Sequence, residues 1–186
     1  MTKIRPAKAS DAGALARLAE RTFRESFAAQ NLAADMDHHC ATHFGEAMQL
    51  NEIADSNTLN LIAVHRDQLV AFAQVRLRSP NNLVTAERPA EIHRFYVLKQ
   101  WHGQGLAHEL MSALLKAPSF SDVNADALWL SVWQRNPRAI AFYHKHGFKV
   151  VGESLFHVGS DSQRDWLLSL KIHAQRAHSQ VFNRLP

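Results

Sequence analysis

The chain has 186 residues, 46% hydrophobic and 20% charged, a composition that suits one globular domain with a sizeable core and excludes a disordered or fibrous chain. Twenty-one Lys and Arg against seventeen Asp and Glu give a net charge of +4, with no dense basic cluster to mark a nucleic-acid face, and Cys40, the single cysteine, excludes an intrachain disulfide or a multi-cysteine zinc site. Apolar runs such as Leu69 to Ala73 are too short to cross a bilayer and Met1 to Ser10 lacks a signal-peptide core, so no membrane association is expected and the expected compartment is the cytoplasm.

In chain order, Lys3 to Arg5 reads as a short strand stopped by Pro6. Ser10 stands where an N-cap belongs, and Leu15, Leu18, Ala19, Thr22, Phe23 and Phe27 recur at helical spacing, predicting an amphipathic helix to about Ala28. Asn31 to Asp55 is polar and His-rich with isolated apolar positions, which fits one or two short helices carried on loops. Leu59 to His65 and Leu69 to Leu77 form a hairpin around Arg66, Asp67 and Gln68, followed by a polar loop from Ser79 to Pro89. Glu91 to Leu98 alternates as a strand, and Gln100 to Gly105 then opens a helix from Leu106 to about Lys116, stopped by Pro118. Leu128 to Trp133 is a further strand. Pro137 begins the next helix, which reaches His146 with Gly147 as C-cap. Lys149 to Val158 and Arg164 to Leu170 make a second hairpin around Gly159, Ser160 and Asp161. The domain is 1–172. The segment 173–186 reads as a basic C-terminal tail, with a helix packed on a partner subunit as the alternative, so a homodimer stays open.

Twelve histidines carry no recognisable ligand spacing: His108-Glu109 opens like a zinc-protease helix, but Ser112 stands where the second histidine belongs, and no metal site is expected. The most informative segment is EIHRFYVLKQWHGQGLA, Glu91 to Ala107. A strand running into closely spaced glycines at a helix start offers backbone N–H groups and the positive helix end to an anionic group, and Gly103 and Gly105 allow close approach. Neither a Rossmann motif, whose third glycine is replaced by His108, nor a P-loop, whose G-K-[ST] ending is missing, fits these residues.

The pattern Gln100-x-x-Gly103-x-Gly105-x-Ala107, after a strand ending in Tyr96-Val97, resembles the acyl-CoA pyrophosphate loop of the GCN5-related N-acetyltransferases, and LWLSVWQRNPRAIAFYHKHGF, Leu128 to Phe148, resembles the second half of that superfamily. Thr22 to Phe27 together with Gly152 to Asp165 looks most like the bacterial PaiA-type spermidine and spermine N-acetyltransferases. The resemblance implies a mixed α/β fold with a central, mostly antiparallel sheet of about seven strands, splayed between strands four and five and flanked by helices. It also implies acetyl-CoA as donor and direct attack by a primary amine in a ternary complex, with a polyamine favoured.

Under that resemblance the backbone of Phe95, Tyr96 and Val97 pairs with the pantetheine arm as an added strand. Gln100 opens the loop whose amides, Trp101, His102, Gly103, Gln104, Gly105, Leu106 and Ala107, hold the pyrophosphate. Asn136 hydrogen-bonds the pantetheine region, Tyr143 stands near the sulfur as the acid for the departing thiolate, and Trp133 and Phe142 line or support the gap where cofactor and amine meet. An amine must be neutral to attack, so a base is needed. Glu91 sits at the position resembling the catalytic glutamate of the histone-acetylating branch. His93, two residues on, projects from the same strand face, so either could serve or both could order one water. Acceptor recognition falls to the first helix, the stretch after it and the last hairpin, where Glu25, Asp35, Asp37, Asp161 and Asp165 are candidate partners for ammonium groups. No metal is required, and Cys40 lies outside both motifs, so a cysteinyl intermediate is not expected. The alternatives are a protein N-terminus, a lysine or an aminoglycoside as acceptor, a non-catalytic acyl-CoA sensor and, last, a nucleic-acid module.

Overall fold

The computed structural model describes residues 1–29, 31–158 and 161–172. Strand β1 (Lys3–Pro6) leads through a short turn into helix α1 (Ala12–Phe27), which buries Leu15, Leu18, Ala19, Thr22 and Phe23 along one face, as their spacing predicts. The start of α1 differs from expectation. Ser10 does not cap it; Ser10 lies in a three-residue 3-10 turn, Ala9–Asp11, and Asp11 holds that turn together. The Asp11 carboxylate accepts bonds from Arg5 Nη1 at 2.7 Å, Arg5 Nη2 at 2.9 Å and the Lys8 N–H at 2.7 Å. The Arg5 bond, outweighing burial, holds this carboxyl below its ordinary range. A charged, bidentate partner thus takes the place of the neutral serine cap.

The His-rich stretch forms two short helices, α2 (Ala33–His43) and α3 (Glu46–Ala54). Strands β2 (Thr58–His65) and β3 (Gln68–Arg76) follow as the expected hairpin, with Arg66 at φ 46° and Asp67 at φ 64° making a turn of the hand that matches strand twist. Next come β4 (Pro89–Val97), α4 (Leu106–Leu115), the five-residue α5 (Pro118–Asp122), β5 (Ala127–Trp133), α6 (Pro137–Lys145), β6 (Lys149–Val158) and β7 (Asp161–Lys171). Helix α5 was not expected from the sequence, where Pro118 reads only as a stop; Pro is equally at home in a first helical turn. Gly159 and Ser160 of the second hairpin and the tail from His173 lie outside the described residues.

One seven-stranded sheet runs β1-β2-β3-β4-β5-β7-β6, antiparallel throughout except between β4 and β5. That parallel pair is in register only at Pro89↔Ala127, Ala90↔Leu128 and Glu91↔Trp129, after which the strands part. The expected splay between the fourth and fifth strands is therefore present. On its other side β4 pairs with β3 through a bulge: Gln74 faces Arg94 and Val75 faces Ile92, leaving His93 as the extra residue. Side chains such as Ile62, Phe72, Leu110, Met111, Leu114 and Leu128 fill the core between sheet and helices.

A buried polar cluster fixes α2 and α3 against this sheet. Arg94, 9% exposed, donates to both Glu52 oxygens at 2.9 and 2.8 Å, to Gln74 Oε1 and to the His43 carbonyl at 3.3 Å. Gln74 in turn donates to Glu52 and Asn60, each at 2.9 Å, and the guanidinium lies 5.3 Å from the centre of the Phe44 ring. Arg94→Met leaves the half-buried Glu52 without its cation and strips Gln74 of its donor, and is expected to lower unfolding free energy by about 3 kcal/mol. Urea denaturation checks this, and a loss under about 1 kcal/mol contradicts the clamp.

Candidate active site

Where β4 and β5 part, two cavities of about 440 Å³ each meet, and Phe95, Tyr96, Asn136, Ala139 and Tyr143 stand in both walls. The first residue of α6 is Pro137, and Asn136 caps that helix by accepting the Ala139 N–H on Oδ1 at 3.1 Å. Gly147, at φ 86°, follows the helix as predicted. Nearly two turns along α6, the Tyr143 ring packs edge-on against Phe142 at 5.3 Å and Phe148 at 5.5 Å. Burial pushes its hydroxyl above the ordinary tyrosine range, with Tyr96 adding to the effect, and burial pushes Tyr96 up to about 12. Both phenols therefore stay protonated at neutral pH.

One cavity extends to the glycine loop, with Val97, Trp101, His102, Gly103, Gly105 and Ala107 in its wall. Gly103 and Gly105 have φ of +77° and +84°, a left-handed conformation that glycine adopts at no steric cost, and no atom lies within 4 Å of where a Cβ would stand on either. The N–H groups of Gly103, Gln104, Gly105, Leu106 and Ala107 have no backbone acceptor among the described residues; helical bonding begins at His108. Those donors, at the positive end of α4, form an anion cradle. Arg138 and Lys145 add positive charge to the same wall. Arg138 Nη1 lies 2.7 Å from His102 Nδ1, and because a guanidinium can only donate, Nδ1 accepts and His102 Nε2–H donates to the Val97 carbonyl at 2.8 Å. Trp101 Nε1 is buried without an acceptor among the described residues.

The other cavity is lined by rings, Phe23, Phe27, His39, Phe44, Trp133 and Phe156, together with Glu91, His93 and Asp165. Phe23 and His39 stack at 4.4 Å, and His39 and His43 at 4.1 Å. Burial, with the neighbouring His43 and Arg94, brings His39 down to about 4, so this imidazole is neutral at pH 7. Glu91 accepts from Ser79 Oγ at 2.8 Å and Arg76 Nη1 at 3.3 Å, and its Oε1 is 3.5 Å from His93 Nδ1. Burial raises the Glu91 carboxyl, but the bonds from His93 and Ser79 and the nearby Arg76 outweigh it and hold the group below its ordinary value. Burial lowers His93, whose Nε2 accepts from Arg76 Nη2 at 3.1 Å. Asp165 differs from these. It is 6% exposed, its Oδ1 is sealed from solvent with no hydrogen-bond partner among the described residues, and burial raises it to about 6.

The structure thus brings Tyr143, Asn136, Phe95, Tyr96, Val97, Gly103 and Gly105 to one cavity system and places Glu91 and His93 on its other arm. Trp133 and Phe142 flank the junction, one on each arm. Gln100, Gln104 and Leu106 belong to the loop by backbone only: Gln104 Nε2 donates to the Gln100 carbonyl at 2.7 Å, and the Leu106 side chain is in the core. Of the candidate carboxylates, Glu25 is spent on the Lys99 N–H and Arg21, at 2.9 and 3.0 Å, and Asp37 on Arg24 at 2.8 Å. Asp35 stands outside both walls, and Asp161 lies outside the residues whose side chains are described. Arg138 and Lys145 escaped the sequence reading, although Arg138 stands two residues after Asn136 in the same segment. Cys40 is buried outside both cavities, and burial raises its thiol. Among the described residues no three His, Cys, Asp or Glu side chains group as metal ligands, and no helix is long and apolar enough to cross a membrane.

Comparison with known proteins accords with this geometry. The model of the acetyltransferase (GNAT) family matches residues 14–148, and the chain belongs to that family. It is an acyltransferase that uses acetyl-CoA. It is 30% identical over 163 residues to an uncharacterized N-acetyltransferase of Mycobacterium tuberculosis, a match covering 86% of this chain and 96% of the relative. Its fold is similar to that of the PaiA N-acetyltransferase of Thermoplasma acidophilum in complex with coenzyme A (TM-score 0.74, 20% identity, 92% of this chain and 99% of the other). It is also similar in fold to mutant forms of the spermidine/spermine N-acetyltransferase SpeG of Vibrio cholerae (TM-score 0.63, 18% identity, 92% and 95%).

Proposed function

We propose that this enzyme transfers the acetyl group of acetyl-CoA to a primary amine of a small molecule by direct attack in a ternary complex, with a polyamine such as spermidine or spermine as the favoured acceptor. The observation that carries the reading is the meeting of the two cavities at Tyr96, Asn136 and Tyr143, one ending in an anion cradle and the other in an acidic, aromatic chamber. The residues present fit the donor: the open space over Gly103 and Gly105, the unpaired loop N–H groups, and Arg138 and Lys145 suit a pyrophosphate. Past Glu91 the β5-facing edge of β4 is unpaired, which supports pantetheine pairing at Phe95 and Tyr96. Asn136 retains its Nδ2 as a donor because only Oδ1 is used in the cap. When bound, acetyl-CoA supplies the thioester carbon and a thiolate leaving group. Tyr143, kept protonated by burial, is the acid for that thiolate.

On the acceptor arm the histidine His39 is neutral, Arg94 is spent on Glu52 and Glu91 is paired with Arg76, so Asp165 leaves the chamber with an uncompensated negative charge that suits a cation. Rings around such a site attract ammonium groups and cover methylene segments. These features, together with the likeness in fold to SpeG, a spermidine/spermine N-acetyltransferase, support a polyamine. A second reading is favoured by Asp165 being the one carboxylate on this wall without a partner among the described residues: a monoamine with an aromatic or alkyl body needs only one. Glu91 and His93 order a water beside the amine: Glu91 Oε2 accepts from Ser79 and Arg76 and His93 Nε2 from Arg76, while Glu91 Oε1, 3.5 Å from His93 Nδ1, can still accept from a water. Glu91→Gln is accordingly expected to lower kcat/KM by about 10-fold and to leave the acidic limb of the pH profile in place. An acidic limb that vanishes in Glu91→Gln contradicts the water-ordering role.

Thiol release from acetyl-CoA with spermidine, spermine, 2-phenylethylamine, a lysine peptide and an aminoglycoside tests the acceptor class. Fastest release with spermidine or spermine is expected, and preference for 2-phenylethylamine selects the monoamine reading. Release only with the peptide or the aminoglycoside overturns both.

A further inference from the structure

We infer that Asp165 seats the acceptor's protonated amine and takes its proton at the moment of attack. This deepens the acetyl-transfer reading and rests on it. Strand β7 holds Asp165 by its backbone between Trp133 of β5 and Ser154 of β6, beside the end of β5 where β4 has already diverged. The side chain lines the aromatic chamber, is more than nine-tenths buried, and leaves Oδ1 without a hydrogen bond among the described residues. A buried, unpaired carboxylate is costly to keep, and supplying an ammonium partner removes that cost.

No described group facing it does so. From β4, Glu91 is itself anionic, His93 is neutralised by burial, Arg94 is paired with Glu52, and Tyr96 is a protonated phenol. From α2, His39 is neutral and His43 spends Nδ1 on the His39 carbonyl at 2.9 Å. From α6 comes only the protonated Tyr143. On β7 itself Arg164 is exposed, 4.0 Å from Glu153. Burial raises the Asp165 carboxyl to about 6, which leaves it ionised at neutral pH yet far more basic than an ordinary carboxylate.

The proton balance is as follows: one N–H proton of the ammonium passes to Asp165, the freed nitrogen pair forms the C–N bond as the C–S bond breaks, and the sulfur leaves with a proton from Tyr143. Tyr143 regains the second amine proton, and Asp165 releases its own to solvent. Overall, ammonium and thioester become amide, thiol and one proton.

The test compares wild type with Asp165→Asn, using spermidine and 2-phenylethylamine from about pH 5 to about pH 9. Thermal unfolding is followed alongside, as is amine affinity for the CoA-loaded protein by calorimetry. Wild type is expected to lose kcat/KM as pH falls through about 6 and to hold a plateau up to the pKa of the amine. The variant is expected to fall at least about 100-fold at neutral pH and to climb about tenfold per pH unit, because only amine already neutral in solution reacts. Its amine affinity should weaken by at least about tenfold, its acetyl-CoA affinity should stay within about twofold, and its Tm should not drop. An unaltered acidic limb with unaltered amine affinity overturns the assignment. If wild type shows no amine-dependent thiol release, the acetyl-transfer reading fails by itself, and the amine titration of the two proteins still decides whether Asp165 seats an ammonium.

Discussion

Replacing Tyr143 by Phe is expected to lower kcat by about 100-fold or more while changing acetyl-CoA Kd by less than about twofold. The substitution removes one hydroxyl and keeps the ring, so the contacts with Phe95, Phe142 and Phe148 survive and the junction of the two cavities keeps its shape. The hydroxyl makes no hydrogen bond with another described residue, so little fold stability is tied to it. A group with no structural partner, at the point where donor and acceptor arms meet and held protonated by burial, fits a proton donor. Loss of an interaction made only as the thiolate departs lowers kcat and kcat/KM together. Equal turnover in Tyr143→Phe would remove the proposed acid and leave Tyr96, the other protonated phenol in both walls, to be tested in its place.

The second large effect is on the donor arm. Gly103→Val is expected to weaken acetyl-CoA binding by about 100-fold, roughly 2.7 kcal/mol. Two causes act together: at φ +77° a β-branched residue is strained, and its side chain occupies the space over the loop. Gly103→Asn separates them, because Asn tolerates the left-handed conformation but still places a side chain there. If the loop cradles the pyrophosphate, Asn weakens acetyl-CoA binding by at least about tenfold with little change in Tm, whereas Val also lowers Tm. Normal acetyl-CoA affinity in Gly103→Asn contradicts the cradle.

Local signals in the sequence foretold the parts of this site that local chemistry makes. The strand-to-glycine-to-helix run of Glu91 to Ala107, Pro137 at the start of α6 and Gly147 at its end each express a backbone requirement carried by one or two residues. The β2–β3 turn at Arg66 and Asp67 was legible for the same reason, as a polar break between apolar runs. What stayed hidden depends on partners far apart in the chain. Arg94 sits in an alternating strand like any charged residue, and only Glu52, 42 residues earlier, explains its burial. Glu25 reads as a free helix carboxylate until the fold brings the Lys99 N–H to it, 74 residues on. Asp165 was one of five equivalent carboxylates in the sequence; its distinction is the lack of a partner, which emerges only once every neighbour is in place. The failed Ser10 cap has a local origin instead: Arg5, six residues before Asp11, holds the turn through that carboxylate.

Electrostatics divides the cleft. The donor arm carries Arg138, Lys145 and unpaired loop N–H groups, whereas the acceptor arm is acidic and aromatic, and the two meet at uncharged phenols and an amide. That polarity supports the proposed pairing of an anionic donor with a cationic acceptor, and a net charge of +4 for the whole chain conceals it.

Initial rates of CoA thiol release over a grid of acetyl-CoA and spermidine concentrations test the central claim most directly. Direct transfer between two bound substrates predicts release that requires the amine, with double-reciprocal lines that intersect and one acetylated amine formed per thiol. Parallel lines, or release that ignores the amine at every concentration, would contradict it.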